Sequence, residues 1–423
     1  MDPEPATSSV AAETLALRNR LVAATLQTAQ DELALVRVDA ASALFGVSAT
    51  GAPVAIITYR GEALEAFGNR LLAVMQAQPG TLYLVIVGGE DAPMRACLED
   101  VARKAPELRS LGLYHLVKAG TLAHVEGRHL GPLEAAAKKL ATWPAVSEAE
   151  LSAEVERAQK RHAEAVSFAQ QTRGRFPLVS LILGALCVLV FLRGGTPGSG
   201  GMANAIFGAG ANYGPAVTAG EVWRLLSYAF LHGSQTHLLV NMLSLYFLGS
   251  FLEQVVGRAR YLLIYGLSGL GAGAASALLG GEVPSVGASG AIWGLMTAGF
   301  GLALKPAGIL PPVIASRLKR GLATPLLINI ALSFVPGIDL RAHFGGGAVG
   351  LALALSGWLG NRTASASAAA DALAQGKPVP TPRWITAAAV LVAAAMALCL
   401  GIALVKAQEL AGRSPQGTAA GTI

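Results

Sequence analysis

The apolar positions of the chain follow two regimes. Up to about residue 170 they come in short bursts. Residues 54–59 and 82–88 are runs of β-branched and aliphatic side chains of strand length, and 111–117 is a weaker third. Helical stretches lie between them at 62–78 and 92–104. Strands alternating with helices predict a soluble α/β domain over 1–170, built on a parallel sheet. Its last part, 148–171, intersperses Glu, Lys and Arg and reads as a charged helix leading onward. Gly88-Gly89 follows a strand, but no Lys-Ser/Thr comes at phosphate-loop spacing, so a plain turn is expected.

From residue 176 the bursts become long runs. Residues 176–192 carry no charge and can span a bilayer at about 1.5 Å rise per residue. A Gly-rich stretch, 194–220, reads as a long loop. Further spans follow at 238–251 (begun near Thr236), 261–279, 287–304, 322–335 and 344–359 (begun near Leu340). A Ser/Ala/Pro-rich linker, 361–383, precedes the clearest span, 384–405, and 406–423 reads as a flexible tail. The pattern predicts a polytopic α-helical membrane protein with a six-span core over 176–360 and one C-terminal span.

Charge then orients these spans. Arg173 and Arg175, Arg258 and Arg260, Lys305, Arg317, Lys319 and Arg320, and Arg362, Lys377 and Arg383 fall on one side if the spans number seven. Loops 194–220, 280–286 and 336–339, on the other side, are poor in basic residues. The excess of Lys and Arg on cytoplasmic loops puts the N-terminal domain in the cytosol and the C-terminus outside. Residues 1–12 are acidic and lack the features of a cleavable signal peptide. Composition agrees, since 53% of the 423 residues are hydrophobic and only 14% charged, against about a quarter in soluble domains. The net charge of +6 belongs to those loops, so no nucleic-acid partner is expected. Cys97, Cys187 and Cys399 give no disulfide framework or metal knuckle. His115, His124, His129 and His162 lack metal-ligand spacing, and neither a metal nor a cofactor is expected.

Polar groups inside a membrane are costly and therefore suspect as functional. Four stand at the non-cytoplasmic ends of their spans: His237 and Asn241 on the second, Ser289 on the fourth and His343 on the sixth. Ser289 lies between Ala288 and Gly290 at a helix start, where free N–H groups could serve a nucleophile. The same residues also suit a small-residue packing face, with Gly290 and Gly294 one turn apart. His343 is a candidate general base or an interface histidine. Gly346 and Gly350 lie four apart on its span, a face fit to pack closely, and span four is the expected partner. His237 and Asn241 share a helix face and can both donate to a developing oxyanion, or can clamp span two to its neighbours. Neither His-Glu-x-x-His nor Gly-x-Gly-Asp occurs, which argues against metal and aspartyl intramembrane proteases.

Glu221-Val-Trp223-Arg224, His237-x-x-x-Asn241, Gly287-x-Ser289-Gly290 and Ala342-His343-x-x-Gly346-x-x-x-Gly350, in that order, resemble the rhomboid family of intramembrane serine proteases. The resemblance covers about 176–360. It implies that Ser289 is the nucleophile and His343 the base, and that His237, Asn241 and the Ser289 N–H form the oxyanion site. It further implies that Trp223-Arg224 shape the first loop, that Glu253 has a structural polar role, and that span five with loop 336–339 forms a gate and lid. Trp293 departs from the pattern, standing where relatives often carry a Tyr that stacks on the histidine. The added seventh span resembles the six-plus-one, secretase-like subtype. Substrates would be single-span membrane proteins in the lipid bilayer, and the expected residence is the cell (inner) membrane. A protein-interaction or regulatory role is expected for the cytosolic domain. The rival reading is a non-catalytic rhomboid-like protein that binds membrane clients; such relatives typically lack the Ser or the His, and both are present here.

Overall fold

Five consecutive apolar residues, Tyr83–Val87, can all be buried only in a strand covered on both faces, and that strand is the centre of the N-terminal unit. A computed structural model describes residues 5–28, 33–38, 42–47, 53–76, 82–104, 112–118, 121–172, 176–194, 201–280, 282–306, 310–357 and 381–413. It divides the chain into two units, Met1–Ala163 and Glu164–Ile423.

The first unit runs α1 (Pro5–Thr28), β1 (Leu33–Val38), β2 (Ser42–Val47), β3 (Pro53–Thr58), α2 (Leu64–Gln76), β4 (Tyr83–Val87), α3 (Asp91–Lys104), β5 (Gly112–Lys118), β6 (Thr121–Gly127) and α4 (Gly131–Lys139). The strands form one six-stranded sheet in sequence order. Tyr83, Val85 and Val87 pack with Leu21, Phe45 and Leu133 on one face, and Leu84 and Ile86 with Phe67, Leu71 and Leu98 on the other. The sheet is mixed, which corrects the expectation of a parallel one: β3, β4 and β5 are parallel, while the β1–β2, β2–β3 and β5–β6 pairs are antiparallel. The outer strands escape the periodicity reading because β1 and β2 are rich in Ala and Leu, and β6 carries His124 and Glu126. Gly88 and Gly89 both have positive φ, 89° and 84°, and form the turn after β4.

A charged helix, α5 (Glu148–Thr172), leads into the second unit, which is helical. There follow α6 (Leu178–Gly194), α7 (Gly201–Gly210), α8 (Gly214–Thr218), α9 (Arg224–Ser227), α10 (Gln235–Val256), α11 (Arg258–Leu279), α12 (Ser289–Leu304), α13 (Pro312–Leu332), α14 (Leu340–Leu355) and α15 (Arg383–Arg413). By length and composition α10, α11 and α15 are able to cross a membrane, and α6, α12 and α14 are shorter apolar helices. Three expectations are corrected here. The 194–220 stretch holds the helices α7 and α8 rather than only a loop, because Ala205, Ile206 and Ala209 give α7 a buried face. The helix that holds the expected fifth span begins at Pro312, not 322; Arg317, Lys319 and Arg320 continue the helix because long cationic side chains carry their charge out to water. The seventh helix runs through Arg413, into the segment read as a tail, while the linker from 361 to 380 and residues 414–423 lie outside the described residues.

Polar side chains fasten the apolar helices. The Glu253 carboxylate near the end of α10 is 3% exposed. It accepts hydrogen bonds from the N–H groups of Val179 and Ser180, at 3.0 and 2.8 Å, and from Ser180 Oγ at 2.8 Å. It thus satisfies free donors at the start of α6 with charge of the favourable sign. Arg224 binds the carbonyls of Gly208 and Ala211 and the Glu221 carboxylate, and Trp223 Nε1 donates to Ala209 O at 3.0 Å. These bonds fold the first loop onto itself. α15 braces it, with Lys406 Nζ 5.8 Å from the centre of the Trp223 ring. Replacing Glu253 with Ala leaves buried N–H groups of α6 unpaired, at about 1–3 kcal/mol each. Thermal unfolding in detergent, followed by exposure of the buried Cys187 thiol, is expected to occur several degrees lower for Glu253→Ala than for wild type. An unchanged midpoint would refute the fastening role.

Candidate active site

The site begins with a crossing of two helix backbones. Gly290 and Gly294 of α12 face Gly346 and Gly350 of α14. A Cβ on Gly346 would fall on the carbonyl of Gly290, and a Cβ on Gly350 on that of Gly294. Side chains at these positions would hold the helices apart. The crossing places the N-terminal ends of α12 and α14 side by side. Ser289 is the first residue of α12, and its Oγ lies 2.9 Å from His343 Nε2 in the first turn of α14.

His343 is buried and held on two further sides. The Trp293 ring stacks on it, with centroids 5.7 Å apart and planes at 30°. Its Nδ1 lies 2.7 Å from Ser333 Oγ, at the C-terminal cap of α13. The start of α14 is fixed by Asp339, which accepts from the N–H groups of Arg341 and Ala342 at 3.1 and 3.0 Å. Ser276 Oγ of α11 donates to the same carboxylate at 2.5 Å. In the loop ahead of α14, burial pushes the Asp339 carboxyl up. Hydrogen bonds from Ser276, Ser285, Ala342 and Arg341 outweigh that and hold it below the usual carboxylate range.

His237 and Asn241 approach from α10. Ser234 caps this helix, its Oγ accepting from His237 N at 3.1 Å. Asn241 Nδ2 donates one hydrogen to His237 O at 3.1 Å, which leaves its second N–H for another acceptor. Both side chains close around Gly287, where a Cβ would lie 2.7 Å from His237 Nε2 and 3.6 Å from Asn241 Nδ2. Gly287 also has φ of 122°, so only glycine meets both demands. Its N–H donates to Tyr228 O at 3.0 Å, and Ser285 pairs through its backbone with Asn212, at 2.8 and 2.9 Å. The first loop therefore sets the path of the chain into Ser289. His237, Asn241, Ser289 and His343 line one cavity of about 720 Å³, together with Tyr228 and Trp293.

The structure thus brings all four candidate residues to one place. Sequence reading passed over Ser333, Asp339 and Ser276. The available signal was a hydroxyl or carboxylate at the same end of spans three and five as the other four. Chemically, the cavity offers a hydroxyl bonded to an imidazole, a nearby amide donor, and the free N–H groups of the first turn of α12.

Comparison with known proteins addresses the same stretch of the chain. A family model described as the Rhomboid domain matches residues 219–359. RHOMBOID-like protein 2 of Arabidopsis thaliana is 42% identical over 148 residues, 33% of this chain and 46% of that protein. Rhomboid protease GluP of Bacillus subtilis is 30% identical over 223 residues, 51% of this chain and 42% of that protein. The Bacillus subtilis rhomboid YdcA is 34% identical over 147 residues, 34% of this chain and 70% of that protein. An Arabidopsis relative whose name marks it as inactive is also similar. The chain spans between 34% and 46% of the length of four Arabidopsis relatives.

The glycine crossing makes a direct prediction. Gly346→Ala is expected to lower stability by about 1–3 kcal/mol through overpacking, whereas Gly321→Ala, with open space around it, is expected to be neutral or better. Denaturant titration in detergent reads both; equal effects would contradict the close contact.

Proposed function

The chain belongs to the rhomboid family of integral membrane proteins, and on that footing we propose that it is an intramembrane serine endopeptidase that cuts transmembrane segments of single-span proteins. The observation that carries this reading is the 2.9 Å contact of Ser289 Oγ with His343 Nε2, made between two helices in a cavity that His237 and Asn241 also line. Ser289 attacks a peptide carbonyl of a substrate segment that has unwound. His343 accepts the hydroxyl proton and passes it to the leaving amine, and water then hydrolyses the acyl-enzyme. His237, the second N–H of Asn241 and the N–H of Ser289 stabilise the oxyanion. Substrates with Gly, Pro or other small residues near the cut yield most readily, because their helices unwind at the least cost.

The six-plus-one arrangement belongs to the same proposal. α6, α10, α11, α12, α13 and α14 form the core over 176–360, and α15, on the far side of the 361–383 linker, is the added span. The distribution of basic residues supports a cytosolic N-terminal domain in a protein of the cell (inner) membrane. That domain, 1–170, is the part through which a soluble protein partner would act. α12 and α14, of 16 residues each, are shorter than a bilayer of ~30 Å requires. With the orientation given by the basic residues, their N-terminal ends open towards the outer side, within reach of water.

Ser289→Ala and His343→Ala are each expected to abolish cleavage of a model transmembrane substrate in liposomes; cleavage retained by either variant contradicts the dyad. Asn241→Ala is expected to reduce the turnover rate by roughly 10²–10³ while leaving KM nearly unchanged, and an unchanged rate would remove Asn241 from the oxyanion site.

A further inference from the structure

A general base needs a free lone pair on the nitrogen that faces the nucleophile, so the proton of a neutral imidazole must sit on the other nitrogen. Among the described residues the other nitrogen, Nδ1 of His343, meets no carboxylate. It meets Ser333 Oγ at 2.7 Å. The hydroxyl's single proton is already committed, because Ser333 Oγ donates to Asn329 O at 2.8 Å and a carbonyl can only accept. Towards His343 the hydroxyl must therefore accept, and Nδ1 must carry the proton. That leaves Nε2 as the lone pair that faces Ser289 Oγ at 2.9 Å.

The contact is built rather than incidental. From Ala323 to Arg341, Ser333 alone is buried, at 1% exposure. Its neighbours Leu332 and Phe334 are 50% and 66% exposed. The Asn329 carbonyl that takes the hydroxyl proton is itself fixed on α13, where the Asn329 amide donates to Pro325 O at 2.9 Å. Ser333 also donates its own N–H to Asn329 O at 3.0 Å.

We propose that Ser333 is a positioning residue of the site, holding the His343 ring in the Nδ1–H tautomer from the end of α13. It touches neither substrate nor Ser289 and acts through the imidazole alone. This inference deepens the proteolytic reading and rests on it.

The test uses the full chain in detergent, with ¹⁵N-labelled histidine and a model transmembrane substrate. His343 signals are identified by their loss in His343→Gln. Wild type is expected to show the Nδ1–H tautomer only. Ser333→Ala and the isosteric Ser333→Cys, a weak acceptor, are expected to show a mixture of tautomers. They should also lose about tenfold in kcat, as for one lost hydrogen bond, with KM unchanged. Ser333→Thr, which keeps the hydroxyl, is expected to restore the wild-type spectrum and rate. The proposal is overturned if Ser333→Ala or Ser333→Cys keeps the pure Nδ1–H tautomer, or if Ser333→Thr fails to restore it. Should wild type itself cleave nothing, the proteolytic reading fails, and the nitrogen spectra alone decide the role of Ser333.

Discussion

Two helix backbones cannot come into contact where either carries side chains at the crossing, and α12 and α14 meet through glycine on both sides. Each helical glycine costs about 1 kcal/mol relative to alanine, so four of them weaken both helices in isolation. The offset comes from contact between backbones. Apolar side chains cannot supply an equivalent force in lipid, where tails are as apolar as leucine and close packing does the work. Ser289 and His343 follow directly from this crossing. Each lies in the first turn of its helix, and those turns lie together because Gly346 meets Gly290, next to Ser289, and Gly350 meets Gly294 one turn on.

The second constraint is that polar groups among apolar helices need partners. Glu253 closes the start of α6, Asp339 the start of α14, and Arg224 gathers carbonyls of the first loop. Glu253 thereby ties α10 to α6, and Asp339, through Ser276, ties the start of α14 to α11, while Arg224 acts within the first loop. The pairing of Ser285 with Asn212, and of Gly287 with Tyr228, brings the same first loop up against the residues just ahead of Ser289. The cavity is therefore framed by loops whose geometry is set by hydrogen bonds and by a crossing set by sterics.

Much of this was legible in the sequence. The helices around the four candidate residues fall close to the apolar runs, and small residues spaced four apart announced the crossing. Basic residues misled at one point: Arg317, Lys319 and Arg320 read as a loop, yet a helix can carry them while their charges reach outward. Gly-rich 194–220 misled in the opposite sense, since glycine content hides the buried face of α7. In the N-terminal unit two of the three parallel strands were clear and the third weaker, while the antiparallel ones lack alternation strong enough to stand out. Ser333 offered only a weak signal, a hydroxyl at the same end of its span as the four candidates, and nothing local distinguishes it from any other helix-end serine; its meaning lies in a partner on another helix.

The central claim is that Ser289 is a hydroxyl activated by His343. Covalent labelling by a fluorophosphonate, read by mass spectrometry on the intact chain, tests it most directly. A single adduct on Ser289, lost when His343 is replaced by Ala, is the predicted result. No adduct on the folded wild-type chain, or labelling of Ser289 that persists undiminished without His343, would contradict it.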